Sequence, residues 1–99
     1  MPVIRDIPVY AVRERDGKIK RLLQSPDAEL VSLVTGLVNL TEAEKTAVDL
    51  CLRRGMTQEQ AAETLDCSVE AIQKWSRSAK NKLWTVWSGR WWIRKLMEE

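Results

Sequence analysis

Apolar positions change their rhythm along the chain. Near the start they form two short runs, Val9-Tyr10-Ala11-Val12 and Ile19-Lys20-Arg21-Leu22-Leu23, on either side of Asp16-Gly17. Asp-Gly between such runs signals a tight turn whose central residues take positive φ. Residues 1–24 are therefore expected to form an N-terminal β-hairpin arm. Pro8 suits the start of an edge strand, and Val12 and Ile19 share one face. A lone hairpin is marginal in water, so this one is expected to pack on the helices that follow.

From Ser25 onward the rhythm is helical. Ser25 offers a cap, Pro26 fits the first helical position, and Asp27 and Glu29 suit the positive end of the dipole. Leu30, Val31, Leu33, Val34, Leu37 and Val38 cover two adjoining faces, so this helix is either central to the core or shared with a partner. Thr41 with Glu44 forms a capping box ahead of Ala43, Ala47, Val48 and Cys51. Arg53, Arg54 and then Gly55 mark the end of that helix. Thr57 with Gln60 repeats the box for a short helix carrying Ala61, Ala62 and Leu65. Ser68 caps a long helix in which Ile72, Trp75, Ala79, Leu83 and Val86 fall within roughly 80° of arc. Glu70, Gln73, Lys74 and Arg77 lie opposite that stripe. Ser88-Gly89 ends the helix, and Trp91, Trp92, Ile93, Leu96 and Met97 belong to a last short one. The fold class is mainly α: an N-terminal β-hairpin followed by a four- to five-helix bundle containing a helix-turn-helix. The divisions are a 1–24 arm, a 25–88 helical domain and an 89–99 Trp-rich C-terminal helix.

Composition narrows the chemistry. Ninety-nine residues suffice for one small domain, and there is no histidine. The commonest general base and zinc ligand is thus missing. Cys51 and Cys67 each sit where a small apolar residue would serve, and are read as buried free thiols. Asp6, Asp16 and Asp27 fall in separate elements. No catalytic, cofactor or metal site is expected, and the chain is not read as an enzyme. The apolar stretch 30–40 is too short to span a bilayer, and Met-Pro-Val-Ile-Arg-Asp lacks a signal layout. A cytoplasmic protein is expected. Net charge is only +2, but it is divided unevenly: +3 over residues 1–24, −5 over 25–67 and +4 over 68–99. Basic ends around an acidic middle can present a positive face.

Residues 58–77 meet the needs of a helix-turn-helix. Ala61 and Ala62 let two helices approach, Cys67 fills the turn, and Ile72 and Trp75 lock the second helix onto the first. The longer run 40–83 resembles the DNA-binding domain of LuxR/GerE-type regulators and, equally, the fourth conserved region of sigma-70 family sigma factors. The matching residues are Leu40-Thr41-Glu42-Ala43-Glu44, Val48, Leu50, Gly55, the helix starting after Thr57, Ser68-Val69, Ile72 and Lys82-Leu83. Where those families usually carry Gly in the turn, this chain has Asp66, which reaches the left-handed region at some cost. The resemblance implies sequence-specific binding of double-stranded DNA in transcription control, with contacts from Ser68, Val69, Glu70, Gln73, Lys74 and Arg77. Gln73 would read adenine, Lys74 or Arg77 guanine, and Glu70 cytosine. Thr57 and Ser68 would set helix N-terminal amides against phosphates, and Lys80 and Lys82 would add attraction that ignores sequence.

Five tryptophans are many for this length. Trp75 belongs to the core stripe, and Trp84, Trp87, Trp91 and Trp92 form a candidate partner or dimer surface. Three roles compete for them: packing on the hairpin through Val9, Val12 and Ile19, a homodimer seam, or a surface for RNA polymerase or another transcription protein. The alternative function is accordingly a protein-interaction adaptor. A basic amphipathic end of Arg90, Arg94 and Lys95 is also compatible with membrane attachment, but no membrane partner is assigned.

Overall fold

The segment expected to be a hairpin is a helix. The computed structural model describes residues 9–98, and α1 spans Val9–Leu23. Residues 1–8 of the expected arm, Pro8 included, lie outside the described residues, as do the side chains of Val9 and Val12. Ile19, Leu22 and Leu23 explain the outcome. In a strand, Leu22 and Leu23 would point to opposite faces. In a helix, all three join one face, and all three are buried. Burial of each contributes about 1.5–3 kcal/mol, against about 1 kcal/mol for placing Gly17 inside a helix. A Glu14–Lys18 ion pair, 3.3 Å at i,i+4 spacing, adds a little.

Five more α-helices follow: α2 (Ala28–Gly36), α3 (Glu42–Ala47), α4 (Gln58–Leu65), α5 (Val69–Ser88) and α6 (Trp91–Glu98). There is no strand among the described residues. The mainly α class stands, without the hairpin. α3 runs without a break into a π-helical segment, Val48–Arg53, ending near Gly55 at φ 72°. The cap of α2 is Asp27, whose carboxylate accepts from the Leu30 N–H at 3.1 Å, instead of Ser25. Ser25 accepts from the Asp27 N–H one step earlier, and Pro26 stays outside the helix. The Thr41–Glu44 and Thr57–Gln60 capping boxes both form as the sequence predicts.

Two hydrophobic clusters hold these helices. The larger gathers Ile19 and Leu23 of α1, Val31 and Val34 of α2, Leu83 and Trp87 of α5, and Ile93 and Met97 of α6. The smaller joins Leu50, Ala61, Ala62 and Ile72, with Cys51, Cys67, Val69 and Trp75 packed against it. The buried spine of α5 is Ile72, Ser76, Ala79, Leu83 and Trp87. It is displaced slightly around the helix from the expected stripe, leaving Trp75 and Val86 half-buried at its margins. Both thiols are free and only half-buried. Burial pushes the Cys51 thiol up, which keeps it protonated.

Gly17 separates the two readings of α1. A Cβ there would meet open space, and its φ is not positive. Gly17→Ala is expected to raise stability by about 0.5–1 kcal/mol in urea unfolding. A hairpin with Gly17 at positive φ would lose stability with the same change.

Candidate nucleic-acid interface

The turn between α4 and α5 is built from backbone hydrogen bonds. Asp66 takes the left-handed conformation, φ 54° and ψ 51°. The Cys67 N–H donates to the Ala62 carbonyl at 3.0 Å and the Asp66 N–H to Glu63 at 3.3 Å. This pair of bonds closes the end of α4. The Ser68 hydroxyl then accepts from the Ala71 N–H at 3.1 Å and starts α5. Ala61 and Ala62 are buried at the crossing, where larger side chains would hold the helices apart. α5 is therefore fixed to α4 at its start and to the larger cluster at its end.

The face of α5 turned from both clusters is polar. Ser68, Glu70, Gln73, Lys74 and Arg77 are exposed, and so is Thr57 at the head of α4. Asn81 continues the stripe, four residues beyond Arg77. The sequence carries that periodic signal, but it lies past the part of the helix read as a motif. Two of the expected contacts differ in setting. Val69 is half-buried against the smaller cluster. Lys80 is half-buried and pairs with Asp16 of α1 at 3.1 Å. The Gln73 side-chain amide donates to Oε1 of Gln58 at 3.0 Å, tying the stripe to the start of α4. α4 itself has no basic residue and exposes Glu59 and Glu63. Positive charge in this pair of helices is therefore confined to α5.

A groove lies on each side of the stripe. One, of about 420 Å³, runs from Glu70 to Lys82. Its far wall is held by a buried carboxylate. Glu44 of α3 accepts from the Thr41 N–H at 2.8 Å, from Lys82 Nζ at 2.7 Å and from the Ser78 hydroxyl. Lys82, expected to serve DNA, is thus engaged in joining α5 to α3. The other groove, of about 450 Å³, lies between α5 and α1 and is reached past Gln58. Its α1 wall was out of reach of sequence reasoning, because a strand at that position would not have set Arg15 and Asp16 side by side against α5.

The tryptophans divide. Trp87 is fully buried, and its indole N–H donates to the Val34 carbonyl at 2.8 Å. It is a core residue and is not available to a partner surface. Trp84 and Trp92 are half-buried against the larger cluster. Trp91 is 67% exposed, with Lys95 Nζ 5.8 Å from its ring centre. Leu33 and Leu37 are the other large apolar side chains left exposed among the described residues. Among those residues no helix is long and apolar enough to cross a membrane, and no three potential metal ligands cluster.

Glu44 gives the junction a pH dependence. Burial pushes its carboxyl up, but Lys82, Ser78 and Thr41 outweigh burial and hold it at about 2, against an ordinary 4.5. A lowered folded-state value stabilises the protein above pH 4.5, and the benefit fades as pH falls from 4.5 toward 2. It amounts to about 2–3 kcal/mol once water around the half-exposed Lys82 is allowed for. In urea melts, wild type is expected to exceed Glu44→Gln by about that amount at pH 7, and the two are expected to converge near pH 2.

Comparisons of the chain with protein families, with characterised proteins and with solved structures return no match.

Proposed function

We propose that this protein binds double-stranded DNA sequence-specifically and acts in transcription control, in the manner of a LuxR-type or sigma region-four helix-turn-helix. The observation that carries this reading is the exposed polar stripe Glu70, Gln73, Lys74 and Arg77. It lies on a helix immobilised from behind by two clusters and entered through a tight left-handed turn. Such a helix can enter the major groove without reorganising, so little of the binding energy is lost in ordering it. Gln73 keeps one amide hydrogen and its carbonyl oxygen free while bonded to Gln58, which still allows a two-point contact with adenine. Lys74 and Arg77 offer donors to guanine, and Glu70 an acceptor to cytosine. Thr57 and Ser68 stand at helix N-termini, where backbone amides favour phosphate. A protein with this role would work in the cytoplasm.

One observation favours a second reading. Trp91 stands mostly in water, and exposed aromatic rings are frequent contacts for other proteins. An adaptor to RNA polymerase, or a homodimer, would use Trp91 together with the exposed edges of Trp84 and Trp92.

A duplex selected from a random pool separates these readings. Gln73→Ala and Arg77→Ala are each expected to weaken binding to that duplex by about 1–3 kcal/mol with an unchanged circular dichroism spectrum. Affinity is also expected to fall steeply with salt. If no duplex is selected and Trp91→Ala abolishes capture of RNA polymerase, the adaptor reading replaces this one.

A further inference from the structure

We infer that the groove between α1 and α5 is a seat for a phosphodiester group of the DNA backbone, at the edge where α1 meets the helix-turn-helix. This inference rests on the DNA-binding reading and adds a second contact to it. The walls bring three cations, Arg15, Arg77 and Lys80, to one opening. Asp16 is the resident anion. It lies 3.1 Å from Lys80 Nζ and 3.6 Å from Arg15 Nε. The groove therefore keeps an excess of two positive charges.

Its polar groups are only loosely held from within. Ser76 forms part of the wall but is 7% exposed, and its hydroxyl is turned from solvent toward the Cys51 thiol. Arg15 Nε and Asp16 Oδ1 face each other as an ion pair at 3.6 Å, longer than a normal hydrogen bond. So loose a pair leaves the Arg15 guanidinium able to take a second anion. A phosphate oxygen accepts from the Arg15 guanidinium, and the charge of Arg77 favours it further. Asp16 would compete with it for Arg15 and Lys80, so the native carboxylate moderates affinity. Position supports the same ligand. The groove borders the Gln73–Arg77 stripe directly, where the sugar-phosphate strand runs when that stripe faces base edges.

Binding isotherms on the selected duplex and on a random duplex, over a range of salt, test this. Arg15→Gln is expected to weaken both duplexes by the same factor, five- to tenfold. It is also expected to lower the slope of log affinity against log salt by about one. Asp16→Asn is expected to tighten both duplexes, an effect that loss of folding cannot imitate. If neither variant changes affinity or slope while Gln73→Ala still weakens the selected duplex, the seat is refuted and the DNA-binding reading stands. If wild type binds no duplex, that reading falls, and with it the assignment to the DNA backbone. Titration with inorganic phosphate then tests the groove itself: saturable amide shifts at Arg15 and Ser76 would keep it as a seat for a free phosphate, and their absence would remove it.

Discussion

Helix α5 belongs to both hydrophobic clusters, and the rest of the molecule is arranged around that fact. Ile72 anchors its start against α4 and the π-helical segment, while Ala79, Leu83 and Trp87 anchor its end among α1, α2 and α6. Trp87 contributes most at one position. Its ring is wholly buried, and its N–H satisfies a carbonyl of α2. An indole buried without that bond would leave a costly orphan donor. A helix gripped along one side can hold the opposite side in water with a fixed orientation. A reading surface needs that property and an isolated helix lacks it.

The flanks of α5 are set by charges. On one side Glu44 draws Lys82 and Ser78 toward α3, and on the other Asp16 draws Lys80 toward α1. Both lysines look available to DNA in the sequence, yet both are partly committed to holding helices together. The exposed cations left on the stripe are Lys74 and Arg77. With Glu59 and Glu63 on α4, positive charge is concentrated along α5 and not spread over both helices. This agrees with an overall charge of only +2.

Most helices were legible because their ends carry chemical signals. Thr41 with Glu44, Thr57 with Gln60, Ser68, and Ser88-Gly89 each mark a boundary that the structure uses. Asp66 was legible too: the tight turn needs a left-handed residue, and Asp accepts that conformation at moderate cost. The first helix was misread because Asp16-Gly17 is a strong local turn signal amid β-favouring residues. Local preference yielded to the joint burial of Ile19, Leu22 and Leu23, which depends on α5 and α6 being present. The same error hid the Arg15–Asp16 wall beside α5. The tryptophans could not be apportioned from spacing alone, since Trp84 and Trp87 differ by only about 60° around α5 and Trp91 belongs to a separate helix. Which of them is buried depends on where α2 and α6 cross α5.

Magnetisation transfer from a bound duplex to the backbone amides of labelled protein tests the central claim most directly. If the locked helix is the reading element, transfer will be strongest over residues 68–77 and absent from α6. Transfer centred on Trp91, or none along α5, would contradict the account.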